Sequence, residues 1–143
     1  MSEIAKIFCE RFCNKDSNTF VELFADNASY LDSLYGEYKG KDAIKGFHKR
    51  CHEEAKDYTF IPKNVISENN NIAFEWELSF TSLTPFSKGK RITVEGSGFI
   101  SIDIDNGKIV SYKEYTDSIA ILLKGQVPDE KIIKFYRRKY KID

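Results

Sequence analysis

The sequence has no excess of either charge, few cysteines and no long apolar run, and each shortage closes off a class of function. Twenty-two basic side chains balance 22 acidic ones over 143 residues, so the chain is not a polyelectrolyte that coats nucleic acid by bulk charge. Its apolar runs, such as Ile119 to Leu123, fall far short of the roughly 18 to 20 residues that cross a bilayer, and no membrane span is expected. The opening Met1-Ser2-Glu3-Ile4-Ala5-Lys6 carries an acid early and no apolar stretch before a small-residue cleavage site, so no signal peptide is visible. Three cysteines, an odd number, make no disulfide framework and fit a reducing compartment; the cytoplasm is the expected location. Apolar and aromatic residues are plentiful instead, at 41% and 14%. That is enough for one soluble domain over residues 1–143 around a single core, and too much for a disordered tail.

Periodicity divides the chain. Ile4, Ile7, Phe8 and Phe12 fall on one helical stripe after Ser2, an acceptable N-cap, and predict a helix over about Glu3 to Asn14. A short second helix carries Phe20, Leu23 and Phe24 behind a Ser17 or Asn18 cap. A first strand follows at Ala28 to Asp32, and a third helix carries Ala43, Ile44, Phe47 and Cys51 through Glu54. Beyond Lys56 the texture becomes β-branched, aromatic and near-alternating, which predicts strands at Tyr58–Glu68, Ile72–Thr81, Lys90–Ile104 and Lys108–Thr116. Asn106-Gly107 between the last two is a strong hairpin signal, so the sheet should be largely antiparallel. Gly96 and Gly98 lie mid-strand, where a bulge or bend is expected. Asp117 and Ser118 can cap a short helix that Gly125 stops, and Pro128 leads into a basic helix at about 128–140. Helices first and a long bent sheet after them make an α+β order.

The run Phe24-Ala25-Asp26-Asn27-Ala28-Ser29-Tyr30-Leu31-Asp32, then Gly36, Gly40-Lys41-Asp42-Ala43-Ile44 and Phe47, resembles the front half of the SnoaL-like and ketosteroid isomerase-like proteins of the nuclear transport factor 2-like superfamily. Trp76, Gly96, Asp105-Asn106-Gly107-Lys108-Ile109 and Tyr115-Thr116-Asp117 resemble the family's closing hairpin. The resemblance covers about Ile4 to Leu123. It implies a cone-shaped half-barrel (an α+β roll) with helices packed on a bent sheet and a pocket inside the cone, and often a homodimer through the outer sheet face. It says less about chemistry, because one scaffold hosts isomerases, cyclases, hydrolases, dehydratases and plain binding modules.

By its place in the motif Asp32 resembles the general base of ketosteroid isomerases, a role that needs a carboxylate whose pKa is raised by apolar neighbours. The bland alternative is that Asp32 only ends a strand and caps the turn Ser33 to Gly36. Tyr30, two residues earlier, points to the same side and can donate a hydrogen bond. The family's oxyanion tyrosine falls at about Phe8 and its partner acid at about Phe99. Neither can donate a hydrogen bond, which argues against ketosteroid isomerisation itself. Glu114 and Tyr112 share one face of the last strand. In one register Glu114 meets Asp32 in the pocket, and in the opposite register it is solvated. Tyr112 stands where SnoaL-like cyclases carry a histidine. Asp117 matches the family's Tyr-x-Asp ending but is also an ordinary N-cap. Trp76, with Phe74, Leu78 and Phe80, suits either a core or an aromatic-lined cup. Whether the cup is open depends on how far Phe8, Phe12, Phe60 and Phe99 fill it.

His48, Cys51 and His52 share a helical face, but the stretch lacks the glutamate of a His-Glu-x-x-His motif, and no metal site is assigned. Cys9 and Cys13 read as core thiols with no base beside them. The tail cations Lys131, Lys134, Arg137, Arg138, Lys139 and Lys141 surround Ile132, Phe135, Tyr136 and Tyr140; such a basic amphipathic helix can lie on an anionic membrane or nucleic acid, but the preferred reading is a helix docked by its apolar stripe with a solvated basic face. The functional expectation is a small, largely apolar organic ligand in the cone pocket. Asp32, Glu114 and Asp117 would supply acid/base isomerase, cyclase or dehydratase chemistry without a cofactor, while Tyr30, Trp76, Tyr112 and Phe99 line the pocket. The alternative is a non-catalytic ligand-binding or dimerisation module. No nucleic-acid partner is expected.

Overall fold

The alternating stretches after Glu54 become four long strands in the structure, a computed structural model that describes residues 2–143. In chain order the elements are α1 (Ser2–Cys13), α2 (Ser17–Val21), β1 (Phe24–Asp32), β2 (Gly36–Lys39), α3 (Lys41–Glu54), β3 (Ala55–Glu68), β4 (Asn71–Ser82), β5 (Arg91–Ile102), β6 (Ile109–Thr116), α4 (Ser118–Lys124) and α5 (Asp129–Lys139). The strands form one unclosed sheet in the order β2-β1-β6-β5-β4-β3. Every neighbouring pair is antiparallel except β1 with β6. The architecture is α+β, as the order of elements implies.

Phe8 on α1 is the centre of the packing. Its ring meets those of Phe20, Phe24, Tyr30, Phe60, Phe74 and Tyr112 at centroid distances between 4.5 and 6.4 Å. The helical stripe is therefore satisfied by the inward face of the sheet, and burial of these rings supplies most of the drive to fold.

Several local expectations need correction. Asp16, not Ser17 or Asn18, caps α2, accepting from the Asn18 N–H at 3.0 Å. The Ser17 hydroxyl is occupied elsewhere, 2.6 Å from His48 Nδ1. β1 begins at Phe24, four residues earlier than expected, because Phe24 pairs with Ile109 on β6. β2 carries no periodic signal and exists through pairing with the end of β1. The Ser2 cap concerns a side chain outside the described residues. Gly96 and Gly98 mark no register shift. They are needed for space: a Cβ at Gly96 would overlap the Trp76 ring, and one at Gly98 would lie 2.7 Å from Tyr112 Cε1. The bulges fall instead in β1, in β3 and at the start of β6.

On α5 only Ile132 is buried; Phe135 and Tyr140 are exposed. The expected docking of the whole apolar stripe does not occur, because α5 follows α4 at the sheet's end and meets little apolar surface there. No helix among the described residues is long and apolar enough to cross a membrane.

Candidate functional site: a carboxyl pair in an apolar cavity

The β6 register decides the site. Tyr112 is fully buried and Glu114 turns into the cone, whereas Lys113 and Tyr115 face outward. This is the first of the two registers open to the sequence, and it sets Glu114 beside Asp32 at the end of the adjacent parallel strand. Ser33 fastens the two strand ends together: its Oγ donates to the Glu114 carbonyl at 2.7 Å and accepts from the Thr116 N–H at 3.1 Å.

Asp32 caps the turn and faces the cavity at once. One carboxylate oxygen caps the following turn, accepting from the Leu34 and Tyr35 N–H groups at 2.9 and 2.7 Å, and the side chain also lines the cavity. Burial raises its pKa, and the two backbone N–H groups and a hydrogen bond with Glu114 oppose that rise. Burial pushes Glu114 well above the ordinary carboxyl range, with the Asp32 charge and the shared hydrogen bond adding to the effect. Tyr112 Oη lies 3.5 Å from Glu114 Oε2. More donors converge on Asp32, so burial raises Glu114 further than Asp32, the direction expected when two buried carboxyls share one site.

Around this pair lies a cavity of about 320 Å³, near the lower end of small-molecule sites. Its walls are Phe12, Tyr30, Phe47, Tyr58, Phe60, Trp76 and Phe80, and its mouth is formed by Leu34, Tyr35, Phe86, Ile121, Leu122 and Val127. Phe12 and Phe60 therefore line the cup without filling it, and Phe8 lies in the core. Trp76 is buried on the wall, edge to face with Phe60 at 5.5 Å, and its Nε1 has no hydrogen-bond partner. Cys51 also faces the cavity; burial, then the nearby Asp32 and Glu114 charges, hold its thiol protonated.

Three expected site residues lie elsewhere. Tyr112 is fully buried against Phe8, with ring centroids 4.5 Å apart, and does not line the cavity. Phe99 is 47% exposed on the outer face, stacked edge-on against Tyr115 at 5.9 Å, because it alternates with the inward-facing Gly98 and Ile100. Asp117 is exposed and caps α4, accepting from the Ala120 N–H at 3.1 Å, so it is a helix cap and not a cavity carboxylate. Tyr58 and Tyr35 were not singled out in the sequence. The alternation Tyr58, Phe60 at the start of β3 was the available signal for the first, while Tyr35 lies in a turn whose direction no pattern reveals. Tyr35 donates to Glu54 at 2.7 Å at the mouth, beneath the Arg50 guanidinium, which lies 4.2 Å from the ring centroid.

The His48, Cys51 and His52 face is structural. His48 is buried with one ring nitrogen against Ser17 Oγ and the other 2.9 Å from the Phe12 carbonyl, so neither is left to a ligand. His52 reaches the same carbonyl at 2.8 Å. Burial lowers the His48 pKa to about 4. Among the described residues no three His, Cys, Asp or Glu side chains are grouped so as to hold a metal ion.

The comparisons with known proteins agree with the fold. No curated protein sequence matches the chain significantly. The fold matches a ketosteroid isomerase-like protein from Catenulispora acidiphila, solved in complex with trimethylamine, at a TM-score of 0.78 and 16% identity over 88% of this chain and 94% of that one. It also matches a protein assigned as a SnoaL-like polyketide cyclase from Shewanella denitrificans (0.76; 16% identity; 89% and 97% covered). A third match is SalBIII, an epoxide hydrolase/cyclase-like enzyme in pyran ring formation of the polyether salinomycin (0.71; 18% identity; 83% and 92% covered). At these identities the solved structures establish the shared fold. Residues 5–112 match the model of the SnoaL-like domain, and the chain belongs to that family.

Proposed function

We propose that the protein binds a small, largely apolar organic molecule in the cone and moves a proton on it with the Asp32–Glu114 pair. The observation that carries this reading is that two carboxyls, Asp32 and Glu114, line one aromatic-walled cavity at adjacent strand ends; in this reading Asp32 is the base and Glu114 the proton carrier. A plain binding cup gains nothing from such a pair, because burying it costs stability. Asp32 takes a proton from a carbon next to a carbonyl while Glu114 gives its own to the carbonyl oxygen. Returning the first proton to a different carbon, and the second to Glu114, completes an isomerisation that the two carboxyls balance alone. The neutral Glu114 supplies the hydrogen-bond donor missing at Phe8 and Phe99. A dehydratase would instead give the Glu114 proton to a departing hydroxyl, which leaves as water, and a cyclase would give it to the carbonyl oxygen of the group that the deprotonated carbon attacks.

The test uses a surrogate carbon acid. Deuterium exchange at the α-carbons of 2-tetralone in D2O, followed by NMR, is expected to run at least about tenfold faster with wild-type protein than with Asp32→Asn or Glu114→Gln, the low end of general acid–base contributions. Equal rates in all three, with ligand-shifted resonances still present, would leave a binding module. We also place the protein in a reducing compartment such as the cytoplasm, which its three free cysteines suit. We further propose a homodimer through the outer sheet face, where Phe99 and Tyr115 present exposed rings. Sedimentation of wild type against Phe99→Lys tests the dimer: a monomer in both would sink it.

A further inference from the structure

Seven of the thirteen exposed large apolar side chains among the described residues lie in one stretch of neighbouring segments. Phe86, Ile119, Leu123, Ile133, Phe135, Tyr140 and Ile142 all belong to the β4–β5 loop, α4, α5 and the last residues. These segments surround the cavity mouth. Lys131 of α5 lies over the Phe86 ring at 5.0 Å, Tyr136 is hydrogen-bonded to Ser118, and Lys139 donates to the Ser33 carbonyl beside Leu34 and Tyr35. Thus α5 runs along the mouth from the Phe86 side to the Asp32 turn. Phe86, Leu34 and Tyr35 line the cavity itself.

The charge of the same segment is uncompensated. Residues 128–143 carry six cations against three acids in a chain whose net charge is zero. None of the ion pairs found among the described residues involves an α5 side chain. On the helix, Ile133 and Tyr140 are 58% and 61% exposed and lie on one flank, next to Arg137, with Lys134 and Arg138 further round. Solvated cations beside unburied aliphatic and aromatic groups form the pattern of a helix that lies in a membrane interface.

We propose that α5, with Ile142 and the Phe86 loop, docks this protein on an anionic phospholipid surface, with the cavity mouth against the lipid. A second copy of the chain is a poor occupant, since a two-fold contact of this face with itself would bring like charges together. A nucleic acid would use the cations but leave Ile133, Leu123 and Ile142 in water. The docking does not depend on the proton-transfer reading: vesicle binding is measured without substrate, and it can fail or succeed whatever the exchange assay shows.

Co-sedimentation with vesicles of phosphatidylcholine alone and with 30% phosphatidylglycerol tests the proposal. Wild type is expected to bind the anionic vesicles at least tenfold more tightly than the neutral ones, and to lose that preference in 0.5 M NaCl. Lys134→Glu/Arg138→Glu, at exposed side chains with no hydrogen bond or ion pair among the described residues, should lower anionic binding at least tenfold with an unchanged melting temperature. Ile133→Ser/Ile142→Ser should weaken it several-fold at unchanged charge. Equal sedimentation with both vesicle types, or none with either, would overturn the proposal. So would a preference for duplex DNA over anionic vesicles, or a concentration-dependent dimer abolished by the Lys134/Arg138 variant.

Discussion

The two ends of the cone solve opposite problems with the same residue types. At the α2 end aromatic rings close around Phe8, and the buried polar group there, His48, is neutral with both nitrogens paired. At the β6 end the rings stand back around a cavity, and the polar groups there are two carboxyls, both raised in pKa by burial. Where every polar group is satisfied, burial is close to free. Where a carboxyl must keep its proton against its ordinary pKa, the fold gives up stability, and such a sacrifice is expected where a site is being prepared.

Mutations that break this contrast should do so in graded amounts. The largest effect belongs to the closed end: Phe8→Ala should cost about 3 to 5 kcal/mol, because it removes a ring from the middle of the aromatic cluster and leaves a cavity. Urea unfolding measures it, and a loss under about 1 kcal/mol would show that the packing centre lies elsewhere. Next comes Gly98→Val, whose side chain would be driven into Tyr112. A loss of roughly 1 to 3 kcal/mol is expected from overpacking, together with a disturbed Glu114 titration in carboxyl infrared spectra.

The third prediction separates the two ends by pH. The folded-state pKa of His48, about 4, lies below its ordinary value of 6.5. Between these values the unfolded chain binds more protons, so stability present above pH 6.5 is lost as pH falls towards 4. Glu114 has the opposite sign. Its folded pKa is raised above 4.5, so the folded state binds more protons above that pH and stability falls as pH rises through the shifted range. His48→Gln should flatten the acidic limb of a melting-temperature profile. Glu114→Gln should flatten the limb towards neutrality and stabilise the protein at pH 7 by on the order of 1 to 2 kcal/mol. A variant Glu114→Gln that is less stable than wild type at pH 7 would mean that the carboxyl is ionised there and supported. The smallest effect is at Asp117→Ala, where loss of the α4 cap costs about 1 kcal/mol and leaves the carboxyl titrations unchanged.

Much of the fold was legible because it rests on local periodicity. Four long strands, three of the helices and the Asp117 cap follow from spacing and turn chemistry alone. β2 was not legible, since four residues without alternation become a strand only by pairing with β1. Gly96 and Gly98 announced a special position but not its kind. Only the packed structure distinguishes a bulge from room for the rings of Trp76 and Tyr112. The site was half legible: Asp32, Tyr30, Trp76 and Glu114 line one cavity, while Tyr112 lies in the core behind it and Phe99 and Asp117 lie on the surface. Phe99 misled because a strand gives the sequence two equivalent faces, and Asp117 because the same residue type serves as cap and as catalyst.

The sequence by itself determined the element types, the α+β order, the aromatic supply and the candidate acids, since each depends on neighbours a few residues apart. Tertiary structure alone decided that Glu114 faces inward, that it meets Asp32, that the rings leave a cavity, and that α5 lies along its mouth with its apolar flank uncovered. These depend on strand register and on contacts between distant segments, and a shift of one residue would have reversed the first of them.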